Sequence, residues 1–209
     1  MNPNSSAAAT AAMLDIARTV AGPNLHIDDV TAGDGPGVIT DPKALDHAAD
    51  RVVALTPALT QADGVIVAGF GDPGLAGLRA AGLRVVTGLA EAGMAEAATD
   101  GWRFAVVTTT SDLVARIAQS AQALGHAGFA GTWVTPGDPL PLMAHPERLA
   151  AALLAACRRA CAEEPGIRAI VIGGGPLALA ARIISADAPV PLVEPLPAAV
   201  RRILSMIAV

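Results

Sequence analysis

Four short polar loops carry the residue types that could do chemistry: "NPNSS" at residues 2–6, "FGDPG" at 70–74, "TTTSD" at 108–112 and "GGGP" at 173–176. Each combines small residues with amides, hydroxyls or bare backbone, directly before an Ala/Leu-rich helical pattern. At such a junction the first helical N–H groups have no partner within the helix, and they carry the positive end of its dipole. They suit a carboxylate, an imide oxygen or an enolate. Asn4 and Ser5 add an amide and a hydroxyl, Thr108 and Thr109 add hydroxyl donors, and Gly69, Phe70, Gly71, Gly174 and Gly175 supply close backbone approach. Thr110 and Ser111 read as helix caps. Donors aimed at developing oxyanion charge would stabilise a carbanion delocalised onto oxygen.

Proton transfer needs other groups. Asp72 lies in the glycine-rich loop, where it is either an acid–base group or the cap of the helix that follows. Glu194 stands between Val193 and Pro195, where it is either a simple loop carboxylate or a group whose apolar setting suits proton exchange near neutral pH. Phe70 walls an apolar pocket or belongs to the core, and the sequence does not choose. Cys157 and Cys161 share a helical stripe with Leu149, Leu153, Ala156 and Ala160, so both read as small buried hydrophobes. His26, His47, His126 and His145 fall at turns and helix starts without zinc-site spacing, and no metal site is expected.

These loops need strands and helices to hold them. Val/Ile-rich runs predict buried parallel strands at Gly64–Ala68, Leu83–Val86, Phe104–Val107, Ala169–Ile172 and Val190–Val193. Helical patterns run from Ser5–Ser6 through Val20, and over Asp46–Ala62, Leu75–Ala81, Ser111–Leu124 and Pro146–Glu163. Alternating strands and helices predict an α/β fold with parallel sheets. The halves also resemble each other: Gly69 and Gly174 end equivalent strands, offset by 174 − 69 = 105, and residues 2–6 match residues 108–112 at nearly that offset. The expectation is two pseudo-symmetric Rossmann-like lobes, 1–97 with 196–209 and 98–195, with a ligand cleft between the carboxyl ends of their strands. One feature conflicts with the repeat. "TTTSD" follows a strand, whereas "NPNSS" begins at the second residue. A chain start upstream of the recorded one is the favoured explanation, the other being a first lobe without its inner strand.

Composition excludes several partners. A net charge of −5, with no Lys/Arg cluster and 2% aromatic residues, offers neither phosphate neutralisation nor base stacking, so a nucleic-acid partner is not expected. No apolar run reaches the roughly 18–20 residues of a membrane span, and "MNPNSSAAAT" lacks the features of a signal peptide. A cytoplasmic protein without membrane association is expected. Ala-rich helix surfaces would permit a homo-oligomer.

Taken in order over essentially the whole chain, "NPNSS", "FGDPGL", "VVTTTS" and "VIGGGPLA" resemble the active-site loops of the Asp/Glu/hydantoin racemase superfamily, in particular its hydantoin and allantoin racemases. The resemblance implies a small anionic or imide-like substrate and no cofactor. It also implies one catalytic cysteine at each repeat-related strand end. Here those ends read Ala68–Gly69–Phe70 and Gly173–Gly174–Gly175. The related arylmalonate decarboxylases keep the second cysteine and have glycine at the first position, so this chain departs from both patterns. Two-base thiol racemisation is then excluded, and a decarboxylation, elimination, cyclisation or isomerisation through an enolate-like intermediate becomes the expected reaction. Racemisation by other bases, such as Asp72 and Glu194, and silent binding of a small anion are the alternatives.

Overall fold

The computed structural model describes residues 1–208. The chain separates into two compact units, one formed by Met1–Ala92 with the segment from Leu196 onward, the other by Gly93–Pro195.

The first unit opens with α1 (Ala7–Ala21), whose Ser6 side chain accepts from Ala9 N–H at 3.2 Å and whose end is marked by Gly22 at φ 81°. Next comes α2 (Pro42–Ala54). It starts four residues earlier than its apolar pattern suggests, because Asp41 accepts from the N–H groups of Lys43 and Ala44 and Pro42 takes the first helical position. It also ends earlier, and the short α3 (Thr56–Leu59) occupies the rest of the expected span. Strands β1 (Val65–Val67) and β2 (Val86–Gly88) pair in parallel around α4 (Leu75–Ala80), and α5 (Leu89–Ala97) leaves directly from β2. Val52, Leu59, Val65, Val67, Leu75, Leu78 and Val86 form a buried cluster that joins α2 and α4 to these strands.

Backbone pairing beside β1 comes from the first two residues. The Met1 ammonium donates to Ile66 O at 3.1 Å, and Ala68 N–H donates to Met1 O at 2.8 Å. On the other side Asn2 N–H donates to Val30 O at 2.7 Å, and Ala32 N–H to Asn2 O at 3.0 Å, making a parallel bridge to Thr31. Residues 1 and 2 thus fill the inner position that the repeat leaves without a longer strand.

In the second unit the strands β3 (Arg103–Thr108), β4 (Phe129–Val134), β5 (Ile167–Ile172) and β6 (Leu192–Val193) form one parallel sheet in the order β4-β3-β5-β6. The helices between them are α6 (Val114–Ala123), α7 (Pro139–Met143), α8 (Pro146–Glu163) and α9 (Ala178–Ile184), and α10 (Pro195–Ile207) follows β6. Strand β4 escaped the sequence reading because it is an edge strand. "FAGTWV" contains a glycine and every residue is half-buried, so it lacks the continuous Val/Ile signal of β3 and β5. Ala105, Val107, Ile170 and Ile172 pack against Leu149, Leu153 and Cys157 of α8. This is the role expected for Cys157. Among the described residues no helix is long and apolar enough to cross a membrane.

Candidate functional site

The opening loop is organised by a residue that the sequence reading passed over. Asn2 is 1% exposed, and its amide nitrogen donates to Asn4 Oδ1 (2.9 Å), Ser6 O (3.2 Å) and Thr10 Oγ1 (2.9 Å). Asn4 Oδ1 also accepts from Ser6 N–H at 2.9 Å, so the Asn4 carboxamide oxygen is fully engaged and only its Nδ2 is left to offer. The Ser5 N–H is bound to Pro36 O at 3.0 Å, leaving its hydroxyl as the donor. Pro3 lies over Gly69: a Cβ at that position would stand 2.5 Å from Pro3 Cγ. Gly71 adopts φ 98°, where glycine is favoured, and Phe70 is half-buried.

Asp72 differs from both roles expected for it. It adopts φ 52° and reaches forward to α5, accepting from Ala90 N–H and Glu91 N–H, each at 2.7 Å. The helix it caps is therefore α5, not α4, which starts at Gly74 without any side-chain cap. Each carboxylate oxygen accepts one of these N–H groups, which turns the side chain toward the start of α5. Burial pushes its pKa up to about 7, against the two backbone donors. Gly88 is required beside it, because a Cβ there would overlap the Asp72 carboxyl group.

Glu91, which the sequence reading did not single out, continues this network. Its Oε2 accepts from Thr87 Oγ1 at 2.8 Å and from Arg79 Nη2 at 2.7 Å, while Arg202 Nη2 lies 3.7 Å from Oε1. The Glu91 side chain is 8% exposed, and Arg79 also bonds Val86 O at 3.1 Å. A glutamate in the first turn of a helix is a legible sequence signal, but the two arginines arrive from other elements.

In the second unit the carboxyl edge of the sheet holds the threonines. Thr108 Oγ1 donates to Gly173 O at 2.7 Å, and Thr110 Oγ1 lies 3.0 Å from Thr108 Oγ1. A hydroxyl has one proton. With that of Thr108 on a carbonyl, Thr110 must be the donor of the pair. Thr108 is thereby a positioning residue and not a free donor, and Thr110 braces it instead of capping the following turn, which has no side-chain cap. Thr109 is 3% exposed, and its hydroxyl makes no hydrogen bond among the described residues. Gly174 N–H donates to Ile172 O at 3.1 Å, and a Cβ at Gly174 would sit 3.2 Å from Leu177. Gly175 starts the 3-10 turn Gly175–Leu177 that leads into α9.

Glu194 is not flanked by apolar groups alone. Arg182 Nε donates to its Oε2 at 2.9 Å, and the glutamate side chain is 25% exposed. Cys157 and Cys161 are free thiols on α8, and burial pushes Cys157 up to about 12. Among the described residues no group of His, Cys, Asp and Glu is arranged to hold a metal ion. A cavity of about 360 Å³, lined by Leu59, Asp63, Val65, Ala81, Arg84 and Val85 among others, lies where the chain enters β1 and β2, away from the polar loops.

The Asp/Glu/hydantoin racemase family model matches residues 1–203. The chain belongs to this family. A hydantoin racemase from Paenarthrobacter aurescens is 26% identical over 212 aligned positions, covering 100% of this chain and 89% of the relative. Among solved structures, an allantoin racemase from Klebsiella pneumoniae superposes with a TM-score of 0.87 at 30% identity, covering 99% of this chain and 85% of that one. An allantoin racemase from Pseudomonas fluorescens gives 0.88 at 27% identity, covering 99% and 88%. The parallel α/β architecture is thus that of a racemase-family protein. Asn4 and Ser5 in the first unit, and separately Thr109 in the second, are side chains named from the sequence that keep donors to offer.

Proposed function

We propose that this racemase-family chain is a cofactor-independent enzyme acting on a small carboxylate or imide through an enolate-like intermediate, by a reaction other than two-base thiol racemisation. The observation that carries this reading is the surroundings of Gly69 and Gly174. Neither residue has a side chain to move a proton, and Pro3 and Leu177 stand close to where one would begin. The two carboxylates that could replace thiols are otherwise engaged, Asp72 by the N–H groups of α5 and Glu194 by Arg182. Among decarboxylation, elimination, cyclisation and isomerisation, decarboxylation asks least of such a site. The C–C bond electrons remain as the enolate when CO2 departs, so no base is required. Neutral donors such as the Thr109 hydroxyl hold the developing oxyanion, and water returns the proton. Substrate contacts are assigned to Asn4, Ser5, Gly69, Phe70, Gly71, Thr109, Gly174 and Gly175, with Thr108 as the brace.

Similarity to hydantoin and allantoin racemases along the whole chain favours a second reading, racemisation of a hydantoin-like compound by non-thiol bases. One experiment separates them. Allantoin, 5-methylhydantoin, aspartate, glutamate and methyl(phenyl)malonate are incubated with the protein in D2O and followed by 1H NMR. Loss of CO2 from the malonate, with deuterium entering the product, is the expected result. Exchange of the α-proton in an otherwise unchanged imide or amino acid would replace the proposal with the racemase reading. Binding without chemical change would make the chain a small-anion-binding protein.

A further inference from the structure

We propose that Thr135, outside every polar loop named above, is a substrate contact that acts with Thr109 as a paired hydroxyl donor. The inference rests on the proposed function and deepens it. Thr135 follows β4 directly, and its N–H donates to Thr108 O at 2.9 Å, so the β3–β4 register runs one step past the last paired strand residues. Val107 pairs with Trp133 in β4 and with Ile172 in β5. Two residues further on, the same register brings Thr135, Thr109 and Gly174 into one row across three strands. Side chains alternate along a strand, and Val107, Trp133 and Ile172 all pack on the α8 side. The two threonines therefore share that side.

The state of the hydroxyls distinguishes this row from its neighbour. The protons of Thr108 and Thr110 are committed within the protein. Thr135 is 3% exposed and its Oγ1 has no hydrogen-bond partner, although a buried hydroxyl without a partner is destabilising and a valine would fill the same shape. Thr109 is likewise 3% exposed, and of the two only Thr135 carries a buried oxygen without a partner. An unsatisfied buried donor beside the Thr109 hydroxyl, at the carboxyl edge of a parallel sheet, suits the two oxygens of a carboxylate or one oxygen of an imide. Thr132 supplies an internal control. Its Oγ1 is likewise buried and unpartnered, but it pairs with Val106, three residues before the edge and on the opposite side.

The test compares Thr135→Val, Thr135→Ser and Thr132→Val with the wild-type chain, using calorimetric titration with the five compounds of the D2O panel and thermal unfolding of the free proteins. Thr135→Val is expected to unfold at or above the wild-type temperature and to bind about tenfold more weakly, as loss of one hydrogen bond to a charged oxygen implies. Thr135→Ser should bind as wild type does, and Thr132→Val should leave affinity unchanged. Unchanged affinity in Thr135→Val overturns the inference, as does a fall in its unfolding temperature larger than that of Thr132→Val, because the hydroxyl would then be structural. A compound that binds without reacting removes the proposed reaction and leaves the affinity ratio to decide Thr135. If no compound binds the wild-type chain, both proposals fall.

Discussion

Replacing Asp72 by Asn tests whether this carboxyl group is the buried cap of α5 or a working base. In the unfolded chain it titrates at the ordinary aspartate value of 3.8, and in the fold burial raises it to about 7. Between those values the native state binds more protons than the unfolded state, so this group's contribution to stability falls as pH rises, and its penalty is complete above about 7. With these two values the wild-type chain loses roughly 2.6 kcal/mol between pH 5 and pH 8 through Asp72. That figure is an upper bound, because the residue keeps partial solvent contact and the dipole of α5 favours the anion. Asn cannot ionise, though it sets an N–H2 against one backbone donor, costing about 1–3 kcal/mol at every pH. Urea unfolding of both proteins from pH 5 to 8 should therefore show the wild-type advantage shrinking by about 1–2.6 kcal/mol as pH rises. A constant gap across that range would refute the assignment, and a gap that widened with pH would mean that the anion is the favoured native form.

Three further outcomes follow from the same geometry. Gly69→Ala should cost about 1–3 kcal/mol in chemical denaturation, since its Cβ meets Pro3 Cγ at 2.5 Å, and Gly174→Ala should cost about as much, because Gly174 adopts φ 158°, a backbone conformation that L side chains rarely take. Glu91→Gln should destabilise by about 1–2 kcal/mol at neutral pH, as it removes the charged acceptor of Thr87 and Arg79 while Arg79 and Arg202, 42% and 38% exposed, stay in contact with solvent; no measurable change would mean that the network adds nothing to stability. Cys157 should resist iodoacetamide at pH 8 in the native protein and react once urea unfolds it, because burial holds its thiol at about 12; rapid native labelling at Cys157, located by mass spectrometry, would contradict its packing.

The strands that form the buried centre of the sheets were legible as Val/Ile runs, because burial on both faces leaves no room for polar alternation. The run Val190–Val193 likewise marked the two-residue β6, whereas edge strand β4 carries no such signal. The polar loops were legible as positions but not as partners. "TTTSD" shows three hydroxyls, yet which protons remain available depends on Gly173, 65 residues away. Asp72 read as a local cap, yet it accepts from residues 18 and 19 positions further on, a pairing that only the left-handed turn at φ 52° makes possible. Thr135 gave no sequence signal at all, since its hydroxyl is notable only for being buried and unmatched.

The chain of hydroxyls from Thr110 through Thr108 to Gly173 has a direction that cannot reverse, because it ends on a carbonyl, which can only accept. Water or a mobile side chain can rotate to present either a proton or a lone pair, but this edge is wired one way. With both protons turned inward, the outer end of this chain, Thr110 Oγ1, presents only lone pairs, so the pair accepts from a visitor and has no proton to give an anion. A preference for hydrogen-bonding sense can thus be written into neutral residues, and because no charge carries it, it should respond little to salt.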